Sequence, residues 1–259
     1  MKSPGSPWRK LPSRVNLALP MPDETTGVSA TSRRGWIAAP WHTLTILLFF
    51  AYLVSRDAHH ASAAVRAARP VPRAVLHQGY LLSILFGMGM ACWCWAGVRW
   101  RGGTLRDLLG RRSTSLRDMA WDVAIAIPFW LVWTGTAWLI DRFLVGVNAA
   151  TTPYQPPAGY AEVGLWILVS FAAGIGEEIL FRGYLQRQFH AATGSLVAGV
   201  LLQGLLFGLI HAYQGWKQVM VIAPLGILYG VLAAWRKNLR ANMISHVWSD
   251  LFEGWIKFL

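Results

Sequence analysis

Cysteine is nearly missing from this 259-residue chain: there are two, Cys92 and Cys94, set two apart in one apolar segment. On a helix such neighbours point in different directions, so neither a disulfide framework nor a zinc site is expected from them. Charge is scarce too. Only 14% of residues are charged, and 12 acidic side chains face 24 Lys and Arg. Long stretches hold no charge at all, which excludes an ordinary soluble domain. There is no internal repeat and no His-Glu-x-x-His pattern. The first apolar run starts only after 36 mostly polar residues, later than a secretory leader allows, so none is expected.

Apolar residues make up 54% of the chain, in runs near 37–55, 80–98, 119–140, 163–181, 196–211, 218–235 and 243–258. A hydrocarbon core of about 30 Å takes roughly 20 such residues per helix. The expected fold is therefore all-α, a polytopic transmembrane helix bundle of about seven spans, with six to eight allowed. A net charge of +12 raises nucleic acid as a partner, but the placement of the charges argues against it. With seven spans, 17 of the 24 basic residues fall on the side of the N-terminus. That asymmetry puts the N-terminus in the cytoplasm, the C-terminus outside, and the protein in a bacterial inner membrane. Anionic lipids are the expected partners of those arginines, and no nucleic acid is expected.

Residues 1–36, rich in Ser, Pro, Gly, Thr and Arg, read as a disordered basic cytoplasmic tail. Residues 37–150 read as N-terminal transmembrane helices without a convergent polar group. Asp122 and Asp141 near the ends of the third helix read as solvated or headgroup-facing carboxylates. The arginine-bearing segment 61–76 reads either as a surface helix or as a solvated loop. A Pro-rich loop at 151–159 then opens a C-terminal domain, 151–259, that holds the chemistry.

There Glu177 and Glu178 lie side by side inside an apolar run, with Arg182 four residues on. Each charge costs about 2.5–3.5 kcal/mol at a bilayer centre, so such a cluster marks a functional site by default. Spacing i,i+4 lets Glu178 pair with Arg182. Glu177 is turned away by roughly 100° and left without a partner, as a general base needs. A second cluster ends the next apolar run, Phe207 to His211. A third, His246 to Asp250, lies in the last, where Asp250 is spaced to fix the His246 tautomer. If the chain turns near Thr193-Gly194, Glu177 and His211 both stand roughly 24–27 Å from the turn and can meet. Convergence with His246 then needs that hairpin to project into the cytoplasm. Each cluster alone has a bland reading, an ion pair, a core histidine or a helix-locking bond. Holding all three at once is what the bland readings fail to explain.

Glu-Glu-x-x-x-Arg, Phe-x-x-x-His and His-x-x-x-Asp, in order on hydrophobic helices over about 163–258, resemble the CAAX-protease and bacteriocin-processing (Abi) family of intramembrane proteases. Asp250 stands where the eukaryotic prenyl-protein proteases of that family carry Asn. The resemblance implies an intramembrane endopeptidase in which Glu177 activates water. His211 would then stabilise or shuttle protons, and His246 with Asp250 would form the oxyanion side. Glu178 and Arg182 would brace the site. It leaves open a divalent metal such as zinc, for which His211, His246 and a carboxylate would be a plausible set. The expected substrate is a membrane-anchored protein or peptide. The alternatives are a non-catalytic immunity or scaffold member of the family, and a proton-coupled transporter. The transporter predicts inverted repeats, which the sequence lacks.

Overall fold

The structure, a computed structural model, describes residues 35–67, 72–112, 115–140, 142–143 and 157–256. Most of the tail, Asp141 and most of the 151–159 loop lie outside the described residues, as do the side chains of Arg66 and Arg69. The helices are α1 (Pro40–Ala67), α2 (Arg73–Trp100), α3 (Leu105–Leu109) and α4 (Leu116–Ile140). They are followed by α5 (Gly159–Thr193), α6 (Leu196–Leu209), α7 (Trp216–Arg236) and α8 (Arg240–Ile256). The fold is all-helical. Helices α2, α4, α5 and α7 are long and apolar enough to cross a membrane, and α6 is a shorter apolar helix.

Helix α5 is longer than its apolar run. The composition ends that run at Phe181, yet the helix continues to Thr193, 35 residues in all. At close to 1.5 Å per residue it spans roughly 50 Å, longer than a hydrocarbon core of about 30 Å. Arg182 does not end the helix because its side chain is buried against Glu178 instead of reaching for headgroups. The turn falls where the sequence places it. Gly194 takes φ +72°, a left-handed conformation that glycine adopts at no steric cost. Ser195 then caps α6, its Oγ accepting from the Ala198 amide at 3.2 Å.

Two close approaches position α5. At Gly176 a Cβ would lie 2.5 Å from the Gly87 carbonyl oxygen, so α2 packs backbone to backbone on α5. At Gly174 a Cβ would lie 2.8 Å from the Val247 amide nitrogen, which seats α8 against the same helix one turn before the glutamates. Around them Phe50, Phe181, Leu180, Leu185 and Leu108 form a sealed apolar core. Helix α1 is tied to α5 by polar contacts. The Gln188 side-chain oxygen, Oε1, accepts from the amides of Ile37 and Ala38 at 3.1 and 3.3 Å. His42, to which the sequence gives no role, is fully buried with Nδ1 2.7 Å from the Tyr184 hydroxyl.

Asp122 corrects a sequence expectation. It is fully buried, not solvated, and sits between Arg236, at 2.6 Å, and Arg240. Its helix packs on α7 and α8, so a carboxylate near one helix end is covered by arginines more than a hundred residues away. Arg73 opens α2 and reaches Glu162 at 2.6 Å, which ties the start of α2 to the start of α5.

Candidate active site

The site grows out of an irregularity in α5. Residues Glu178–Leu185 form a π-helical segment, a wider turn that occurs frequently at functional sites. More residues per turn still leave Glu178 and Arg182 near one face, and Arg182 Nη1 donates to Glu178 Oε1 at 2.9 Å. Both side chains are wholly buried. A buried ion pair holds only when its remaining lone pairs and protons are also matched. Asn242 Nδ2 donates to Glu178 Oε2 at 3.1 Å, and His246 Nδ1 lies 2.9 Å from Oε1. Arg182 gives Nη2 to the Gly226 carbonyl at 3.2 Å and lays its guanidinium over the Phe207 ring, 4.4 Å from the centroid.

These contacts orient His246. An ionised carboxylate only accepts, so Nδ1 carries the proton it gives Glu178. Nε2 then faces Glu177, whose Oε2 lies 3.7 Å away. The Tyr229 ring stacks on the imidazole, with centroids 5.3 Å apart. Glu177 is the more open of the two glutamates, with 20% of its side chain exposed. His211 follows the end of α6, and its Nδ1 lies 2.7 Å from the Phe207 carbonyl, which leaves Nε2 for other partners. The Phe207 ring lies 4.9 Å from His211 and 6.1 Å from His246 and forms a wall common to both.

Of the residues the sequence singled out, Glu177, Glu178, Arg182 and His246 meet directly, and His211 joins them across Phe207. Spacing offers Asp250 as the acceptor for His246, but at Nδ1 that place belongs to Glu178, 68 residues earlier. Asp250 lies one turn past His246, and its main-chain carbonyl accepts from the Trp166 indole at 3.2 Å. Sequence reasoning missed Asn242, Gln203 and Tyr229. A signal was present for two of them: Asn242 and Gln203 are amides in apolar helices, each four residues before a motif residue, His246 and Phe207.

Both imidazoles hold Nδ1 against an oxygen, as metal ligands do. Among the described residues, however, no group of three or more His, Cys, Asp or Glu is placed to hold a metal ion. The arrangement does not fit a three-ligand zinc centre, and no step below runs through a metal.

A buried carboxylate–imidazole pair in a bundle of membrane-length helices defines an integral membrane protein with a built polar site. Residues 159–252 match the family model for the Rce1-like type II CAAX prenyl endopeptidases, a similarity that covers the C-terminal part of the chain. No curated protein and no solved structure matches the chain.

Proposed function

We propose that this protein is an intramembrane endopeptidase that hydrolyses a peptide bond in a membrane-anchored protein or peptide with a water activated by Glu177. The observation that carries this reading is the division of labour between adjacent glutamates. Glu178 is saturated by Arg182, Asn242 and His246, while Glu177 is partly open and faces His246 Nε2 across 3.7 Å.

Glu177 takes a proton from the water as its oxygen bonds to the scissile carbonyl carbon. His246, protonated at both nitrogens and aimed by Glu178, donates from Nε2 to the oxyanion, and His211, its Nδ1 turned to the Phe207 carbonyl, donates from Nε2 in the same doubly protonated form. Collapse of the tetrahedral intermediate breaks the C–N bond, and Glu177 returns the proton to the leaving amine. General acid–base action of this kind is worth about 10²- to 10⁴-fold in rate. Asp250, one turn from His246, belongs to the oxyanion side of the site. A prenylated substrate rests on the family's name alone, and the distribution of basic residues favours a cytoplasmic N-terminus. The test is cleavage of a membrane-anchored peptide by purified protein. Wild type cleaves, whereas Glu177→Gln and His246→Ala fold and do not. Equal turnover by Glu177→Gln sinks the proposal.

A further inference from the structure

A protease inside a membrane needs water where the lipid supplies none. Four buried polar atoms near Glu178 find no protein partner: Arg182 Nε, Asn242 Oδ1, Gln203 Oε1 and Gln186 Oε1. They are not scattered. The Gly226 carbonyl accepts from both Arg182 Nη2, at 3.2 Å, and Gln203 Nε2, at 2.8 Å. One turn on, the Gly230 carbonyl accepts from Gln186 Nε2 at 3.1 Å. A Cβ on Gly230 would meet both Gln203 Nε2 and Gln186 Oε1, so the two amides converge on this bare stretch of α7. The result is a polar seam from Gln186 through Gln203 and Arg182 to Asn242 and Glu178, closed to solvent throughout. About two turns of α5 separate Gln186 from Glu178. Buried polar groups are almost always hydrogen-bonded, and polar interior space is filled by ordered water.

We propose that this seam binds a file of internal water molecules, with Gln203 and Gln186 as its principal ligands, and that these waters replenish the one Glu177 activates. The second half of the proposal rests on the protease reading above. Gln203 and Gln186 act as positioning residues.

The test is radiolytic hydroxyl footprinting of the detergent-purified full chain, which labels side chains beside ordered water. Tyr229 and Phe207, both buried and both packed on Arg182, label in the wild type, whereas Phe50, equally buried in the apolar core, does not. Gln203→Met loses that labelling and cleaves the membrane-anchored peptide at least tenfold more slowly in kcat, with KM unchanged. Gln186→Met, which removes one hydrogen bond, shows the same effect more weakly if Gln203→Met does not fold. No labelling of Tyr229 and Phe207 in the wild type overturns the water file, whether or not the protein is a protease. Labelling lost with kcat intact overturns its role in supply.

Discussion

Arg182→Met tests how the site is held together. The substitution leaves a fully buried Glu178 carboxylate with Asn242 and His246 but no counter-ion on its own helix. It also removes a guanidinium from the Gly226 carbonyl and the Phe207 ring. Stranding one member of a buried ion pair costs about 3–5 kcal/mol. At roughly 2–4 °C per kcal/mol for chains near this size, the melting temperature in detergent falls by about 6–20 °C. The double variant Glu178→Gln/Arg182→Met recovers most of that loss, because no buried charge is left unpaired and the amide oxygen still accepts from one of Asn242 and His246. The two substitutions are therefore strongly non-additive, by 1 kcal/mol or more. Thermal unfolding followed by cysteine-reactive dye reads both quantities, since Cys94 is buried. Additive losses, or a single-variant cost below about 1 kcal/mol, refute the claim that Glu178 and Arg182 form a mutually dependent buried pair.

Glu178→Gln alone removes the charge that receives the His246 Nδ1 proton, so kcat falls at least tenfold at unchanged KM, measured on the same peptide. Gly174→Ala pushes a methyl group into the Val247 backbone and moves α8 off α5. Overpacking of this kind costs about 1–3 kcal/mol, and cleavage falls further than stability, as activity and melting temperature measured side by side will show. Asp122→Asn leaves Arg236 and Arg240 facing a neutral amide; both arginines are partly exposed, so solvent limits the cost to about 1–2 kcal/mol in denaturant titration. Exhaustive chelation, with metal content measured, leaves turnover intact, because no three-ligand set is assembled among the described residues.

What the sequence discloses about this site is what lies within one helix turn. The Glu178–Arg182 pair follows from i,i+4 spacing, and the turn at Gly194 from a glycine followed by a capping serine. The bond from His246 to Glu178 joins residues 68 apart and depends on how closely Gly174 admits α8, which no local pattern encodes. The same distance hides the role of Asp122, whose arginines come from α7 and α8. His42 shows the reverse, a histidine near a helix start that earns no role until Tyr184 buries it. Asn242 and Gln203 were legible in principle, since an amide in an apolar helix asks for a partner. Only the fold reveals that their partners are the backbone of α7 and Glu178.

The role proposed for Glu177 is to activate water and not itself to attack the peptide. One turnover in H₂¹⁸O, with mass analysis of both product and enzyme, tests it most directly. Water activation puts heavy oxygen in the new carboxylate of the cleaved peptide and none in Glu177. Heavy oxygen in the Glu177 carboxyl, or a peptide trapped on it as an acyl-enzyme, would contradict it.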